Sequence, residues 1–171
     1  MGAVFTVTLP LPVAHHTQPE TEQPATPNNS ELISDLSLEG VSVLVVDDEP
    51  DARELVKRIL GGCKADVITT GSASEAIRAF KAKRPHVILS DIGMPEQDGY
   101  EFMRMLRSLS VEDGGQTPAA ALTAYARPQD RRQALMAGYQ SHVVKPADPA
   151  ELVTVVASLA GRLSRPGTPR T

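Results

Sequence analysis

Residues 87–95 read Val87-Ile88-Leu89-Ser90-Asp91-Ile92-Gly93-Met94-Pro95, an apolar run that stops on a carboxylate and then meets a glycine and a proline. A short, branched run without polar alternation suits a strand covered on both faces, as in a parallel sheet. A glycine and a proline directly afterwards turn the chain, so the Asp91 side chain is held at the mouth of whatever the strand end faces. The pattern recurs outward from this stretch. Val43-Leu44-Val45-Val46 ends on Asp47-Asp48, a later run ends on Thr123, and another precedes Lys145.

Strands are predicted at 42–47, 65–69, 86–90, 117–122 and 141–144. Helical spacing fills the gaps: 51–60 with Leu55, Ile59 and Leu60 on one side, 74–83 with Ala76, Ile77 and Phe80 together, then 100–109, 127–137 and 149–163. Ser72 or Ser74 caps the second helix, and Gly61-Gly62 and Gly138 end helices. Strand and helix in alternation mean an α/β fold with a five-stranded parallel sheet flanked by five helices.

The 171 residues hold one domain and some excess. A net charge of -4, a pI near 5.6 and no basic patch argue against a nucleic-acid partner. The single cysteine, Cys63, rules out an intrachain disulfide and fits a reducing compartment, so a cytoplasmic location is expected. Cys63 itself reads as an inert packing residue. Every apolar run falls short of the roughly 18 residues a membrane helix needs, so no membrane contact is expected of this segment.

The expected organisation has four parts. Residues 1–13 contain Val4-Phe5-Thr6-Val7-Thr8-Leu9, which alternates like a single strand and stops at Pro10 and Pro12. Residues 14–40 read as a flexible linker, being too poor in apolar side chains to offset the entropy of ordering up to Ser30. The folded domain occupies 41–163, and 164–171, with Pro166, Gly167 and Pro169, reads as a disordered tail. His15 and His16 are linker residues with too few ligands around them for a metal. Arg127, Arg131 and Arg132 form a solvated helix face.

In an open parallel sheet, ligands gather outside the carboxyl ends of the strands, where strand order reverses. Asp47, Asp48, Asp91, Thr123 and Lys145 all sit at such ends. Each alone reads equally as a cap, a turn residue or a surface lysine; the ordered set does not. Hard oxygen donors of this kind suit Mg²⁺ better than softer metals, and a cation relieves the repulsion between the carboxylates. Asp91 then serves as a carboxylate nucleophile toward phosphorus, with the Thr123 hydroxyl and the Lys145 ammonium neutralising the phosphoryl oxygens.

The segments Val45-Val46-Asp47-Asp48-Glu49-Pro50, Leu89-Ser90-Asp91-Ile92-Gly93-Met94-Pro95-Glu96-Gln97-Asp98-Gly99-Tyr100, Leu122-Thr123-Ala124 and Val143-Val144-Lys145-Pro146 stand in a fixed order. On them, residues 41–163 resemble a receiver domain of bacterial two-component signalling. The resemblance implies a flavodoxin-like, doubly wound sheet of order 2-1-3-4-5 and a cis Lys145-Pro146 peptide. It implies Asp91 as phosphoacceptor, Asp48 and Asp91 as direct ligands of Mg²⁺ (or Mn²⁺), Asp47 acting through water, and the Gly93 carbonyl as a further ligand. Thr123 would swing toward the phosphoryl group, Lys145 would contact its oxygen, and the small Ala124 would leave the approach open. His142 stands at the aromatic switch position, where the family usually has Tyr or Phe.

The implied partners are a histidine kinase dimerisation and phosphoacceptor domain, in cis or in trans, or a histidine phosphotransfer protein. On that reading the domain catalyses only its own phosphorylation and dephosphorylation. Residues 2–12 also resemble the closing strand of a histidine-kinase ATP-binding domain, which would make the parent chain a hybrid sensor histidine kinase, compatible with a membrane anchor outside this segment. Two other functions use the same residues: a Mg²⁺-dependent phosphohydrolase with an aspartyl nucleophile, which typically needs a second Asp where this chain has Gly93, and a docking domain indifferent to phosphorylation.

Overall fold

A computed structural model describes residues 36–94, 98–124 and 128–162. The readings of residues 1–13, most of the linker, Arg127 and the tail lie outside them. Within them are five strands, β1 (Ser42–Val46), β2 (Asp66–Thr70), β3 (Val87–Asp91), β4 (Ala119–Thr123) and β5 (Ser141–Val144), and five helices, α1 (Pro50–Gly62), α2 (Ala73–Lys83), α3 (Gly99–Arg107), α4 (Pro128–Ala137) and α5 (Pro149–Leu159). The strands are all parallel, in the order β2-β1-β3-β4-β5. This is the flavodoxin-like, doubly wound sheet expected.

Side chains that alternate along a strand feed two cores. Val43, Val45, Val87 and Leu89 face α1 and α5, meeting Val56, Leu60, Leu152 and Val156. Leu44, Val46 and Ile88 face the other way, against Ala76 and Phe80 of α2 and Phe102, Met103 and Leu106 of α3. β4 begins Ala119-Ala120-Ala121, a weak strand former; pairing with β3 on one side and β5 on the other holds it in the sheet regardless.

Several local expectations shift. Leu55 was placed on the buried side of α1, yet it is 51% exposed; the buried stripe is Val56 and Leu60, with Ile59 at its edge. The Leu55 to Ile59 spacing fits a helix face equally well, and only docking on the sheet selects the neighbouring one. Gly61 and Gly62 are the last two residues of α1 rather than its terminators, and the left-handed turn beyond falls on Lys64 at φ 67. Gly138 does end α4 in the left-handed region, at φ 106, and Ser72 caps α2 by accepting from the Glu75 N–H. α5 stops at Leu159, four residues before the expected end at Leu163, which is outside the described residues. The core also begins before Val41: Leu38 is fully buried and its N–H donates to the Cys63 carbonyl at 2.7 Å. No helix among the described residues is long and apolar enough to cross a membrane.

Candidate functional site

The register brings the strand ends level. Val46 lies beside Ser90, Asp91 beside Leu122, and Thr123 beside Val144. Strand order reverses between β1 and β3, so the residues leaving those two strands border one crevice. Asp47 leaves β1 and Asp91 ends β3; both are buried, while Asp48 is exposed. Asp47, Asp48 and Asp91 each place a carboxylate oxygen within 4.8 Å of the others.

Lys145 closes the cluster from the end of β5. Its ammonium donates to Asp47 Oδ2 at 2.6 Å and lies 2.9 Å from Asp91 Oδ2, across 98 residues of sequence in the first case. The other oxygens are held by backbone: Glu49 N–H donates to Asp47 Oδ1 at 2.9 Å, and Gly93 N–H to Asp91 Oδ1 at 3.0 Å. Arg53 of α1 donates to the Asp47 carbonyl at 2.6 Å and pins the turn. Both Asp47 oxygens are therefore engaged by the protein, whereas Asp48 faces the cleft. Three carboxylates set against one ammonium leave net negative charge, and their hard oxygens fit a divalent hard cation.

Burial alone would lower the Lys145 ammonium, but its hydrogen bonds to Asp47 and Asp91 outweigh that and hold it above the ordinary lysine range. A group raised in the folded state contributes stability that is complete below its unfolded value and lost as pH climbs through the folded one. Alkaline denaturation above about pH 10, where the unfolded lysine begins to titrate, is therefore expected to be shallower in Lys145→Met than in the wild type. Equal slopes for the two proteins would show that the pair carries no such linkage.

A cleft of about 740 Å³ opens over the cluster, walled by Asp48, Asp91, Gly93, Thr123, Ala124 and Lys145. Thus six of the eight residues singled out from sequence share it, and Asp47 lies directly behind. Thr123 is buried at the end of β4, and Ala124 follows it, exposed at the cleft mouth. His142 sits on β5, half-buried and three residues before Lys145, and does not line the cleft. The Lys145-Pro146 peptide is cis. Cys63 is buried, and burial pushes its thiol up, away from reactivity. Arg131 and Arg132 are exposed.

Sequence reasoning missed the opposite wall. Tyr100 of α3 with Asp130 and Gln133 of α4 also line the cleft. Burial, then the carboxylates of Asp130 and Asp98, push the Tyr100 phenol up, so it stays a neutral donor. Asp130 Oδ2 is buried without a hydrogen-bond partner among the described residues. Nothing in the spacing of α4 marked Asp130, which occupies the acid-rich first turn common to many helices.

Residues 43–157 match the response regulator receiver domain. The chain belongs to that family. Response regulator Rre1 of Synechocystis sp. is 38% identical over 129 residues, which is 72% of this chain and 53% of that regulator, so this receiver chain spans about half its relative's length. The receiver domain of sensor histidine kinase PA1611 from Pseudomonas aeruginosa PAO1, whose structure has a magnesium ion coordinated in the active site cleft, superposes with a TM-score of 0.65 at 31% identity, over 71% of this chain and 98% of that one. The receiver domain of the Saccharomyces cerevisiae response regulator Ssk1, solved with the histidine phosphotransfer protein Ypd1, shares the fold at a TM-score of 0.66 and 23% identity, over 71% and 89%.

Proposed function

We propose that this receiver domain accepts a phosphoryl group on Asp91 from a phosphohistidine donor, in a Mg²⁺-dependent step of a two-component phosphorelay. One observation carries the reading: three carboxylates converge within 4.8 Å and are bridged by an ammonium that is itself half-buried. Asp48, Asp91 and the Gly93 carbonyl would hold the ion, with Asp47 behind it through water. When bound, the ion neutralises charge on the phosphoryl oxygens.

On this reading Asp91 acts as the nucleophile. A carboxylate oxygen attacks phosphorus, the phosphorus–nitrogen bond of phosphohistidine breaks, and its electron pair returns to the imidazole. Lys145, at 2.9 Å from Asp91 Oδ2, moves with little rearrangement onto a phosphoryl oxygen. Thr123 supplies a hydroxyl from β4, and a methyl group at Ala124 leaves the mouth open to the donor. The transfer then alters the surface around α4 and β5, with His142 at the switch position.

The donor also needs a seat. Ala52, Leu55 and Val56 of α1 with Pro146 and Ala147 line an apolar groove of about 480 Å³ that reaches Asp47 and Lys145. Leu55, half exposed there, is a contact for the phosphohistidine-bearing helix of a kinase or phosphotransfer protein. The Ssk1 receiver, solved with the histidine phosphotransfer protein Ypd1, supports a partner of that class.

Intact mass after incubation with Mg²⁺ and acetyl phosphate tests the reading. One phosphoryl adduct, absent when a chelator is added, is the expected result. A folded protein that binds Mg²⁺ yet gains no adduct would point to a docking module, and steady turnover of a free phosphate ester to a phosphohydrolase.

A further inference from the structure

Tyr139 follows the turn glycine of α4 and is 2% exposed. Its hydroxyl donates to the carbonyl of Gly99, the first residue of α3, at 2.7 Å across 40 residues of sequence. Burial, above all, keeps that phenol protonated far beyond the ordinary tyrosine range, so it is a permanent donor.

Gly99 is tied to the phosphoacceptor by backbone. Its N–H donates to the Ile92 carbonyl at 3.2 Å, and a Cβ built on it would lie 2.2 Å from the Asp91 carbonyl oxygen. That same oxygen accepts from the Ser90 hydroxyl at 3.2 Å. The phenol is thus coupled through Gly99 to Ile92 and to the β3 end that carries Asp91.

The turn that carries Tyr139 is anchored to the other end of α3. Arg107, its last residue, donates to the Gly138 carbonyl through Nε at 3.1 Å and Nη2 at 2.9 Å. The same side chain reaches the Gly115 and Thr117 carbonyls at 2.7 and 2.9 Å. Gly138 has no room for a side chain, since an added Cβ would lie 2.9 Å from Arg107 Cγ, and its φ of 106 favours glycine. The α4–β5 turn is therefore gripped at both ends of α3, by a guanidinium at one and a phenol at the other.

We propose that Tyr139 is a positioning residue for the phosphoacceptor: its hydroxyl holds Gly99 against the Asp91–Ile92 end of β3, keeps that end in its ion-binding shape and ties it to the α4–β5 turn. The proposal rests on the phosphoacceptor reading above. It gives the Asp91 loop a mechanical link to α4 separate from Thr123 and His142. Lengthening of the Tyr139–Gly99 bond when the loop moves would be felt at Gly138 and Gln140, whose N–H enters β4 through the Ala119 carbonyl at 2.9 Å.

Tyr139→Phe keeps the ring and removes only the hydroxyl. Mg²⁺ titration followed by backbone amide NMR is expected to show an affinity weaker by about three- to tenfold, at or below the low end of what losing a ligand-supporting hydrogen bond costs, since Tyr139 acts on the ligands only through Gly99. Acetyl phosphate labelling should slow by a similar factor. In the wild type the Gly138 and Gln140 amide resonances should shift on Mg²⁺ addition, and in the variant that shift should vanish. Val153→Ala, a truncation in the opposite core, serves as the control: it lowers the thermal midpoint but leaves Mg²⁺ affinity intact. Wild-type affinity in Tyr139→Phe, an equal loss in Val153→Ala, or no Mg²⁺-induced shift at Gly138 in the wild type would each overturn the proposal. Absence of an adduct on the wild type would instead sink the phosphoacceptor reading, and the Mg²⁺ arm would still decide the role of Tyr139.

Discussion

Asp91→Asn is expected to gain no phosphoryl adduct, while its metal-free form folds and is at least as stable as the wild type. An amide has the shape of the carboxylate and keeps an oxygen for the Gly93 N–H that now donates at 3.0 Å, but it offers no nucleophile. The stability follows from counting charges. Three carboxylates within 4.8 Å of one another face a single ammonium. Two unit charges about 4 Å apart interact by about 4 kcal/mol at an effective dielectric near 20. Removing the Asp91 charge loses one attraction of that order, to Lys145, and two repulsions, from Asp47 and Asp48. Lys145 retains its 2.6 Å bond to Asp47, so no ammonium is stranded.

The balance inverts when the ion is present. Ligand at 100 times its Kd stabilises a folded protein by about 2.7 kcal/mol, and losing a carboxylate ligand should take most of that away. Thermal denaturation with and without Mg²⁺ therefore separates the two effects: a wild type that gains strongly from Mg²⁺, and a variant that starts as high and gains little. An adduct in Asp91→Asn at the wild-type level would mean another residue accepts the phosphoryl group.

Gly99→Ala is expected to damage stability and phosphorylation together. Its φ is not in the left-handed region; what glycine supplies here is room. A Cβ would lie 2.2 Å from the Asp91 carbonyl oxygen, 3.0 Å from its carbon and 3.0 Å from Ile92 Cα, all of them backbone atoms that no rotamer change can move. Alanine gains up to about 1 kcal/mol over glycine inside a helix, and less at the first position of α3. Overpacking a tight site costs about 1–3 kcal/mol or more, so the clash wins. Relief comes only from shifting α3 off the β3 end, which carries Asp91 and Gly93 away from Asp48. Chemical denaturation should report a loss of about 2 kcal/mol. Acetyl phosphate labelling at a temperature where the variant is fully folded should be slower by about tenfold or more, as misplacement by an ångström costs far more than that in well-aligned sites. Labelling at the wild-type rate would show that the slot at Gly99 is irrelevant to Asp91.

Much of the site was legible because it is written at strand ends. Asp91 follows Val87-Ile88-Leu89-Ser90, and Asp47 follows Val43-Leu44-Val45-Val46; a parallel sheet must bring such ends to one edge, so the acids, Thr123 and Lys145 could be grouped before any coordinates. Boundaries were less legible. Asp91 is itself the last residue of β3, and β4 begins at Ala119 rather than 117, because ladder pairing extends or trims a strand without regard to where its apolar run stops.

By itself the sequence determined the order of elements, the faces of each strand and the chemistry gathered at their ends, since these depend on neighbours within a few residues. The tertiary structure alone decided that Val56, not Leu55, meets the sheet, that Leu38 belongs to the core, and that Asp130 and Tyr100 wall the cleft. It also decided the long-range grips: Lys145 on Asp47, Tyr139 on Gly99 and Arg107 on Gly138. Each of those joins residues tens of positions apart, and whether a side chain reaches its partner is set by register and helix docking, which local spacing does not encode.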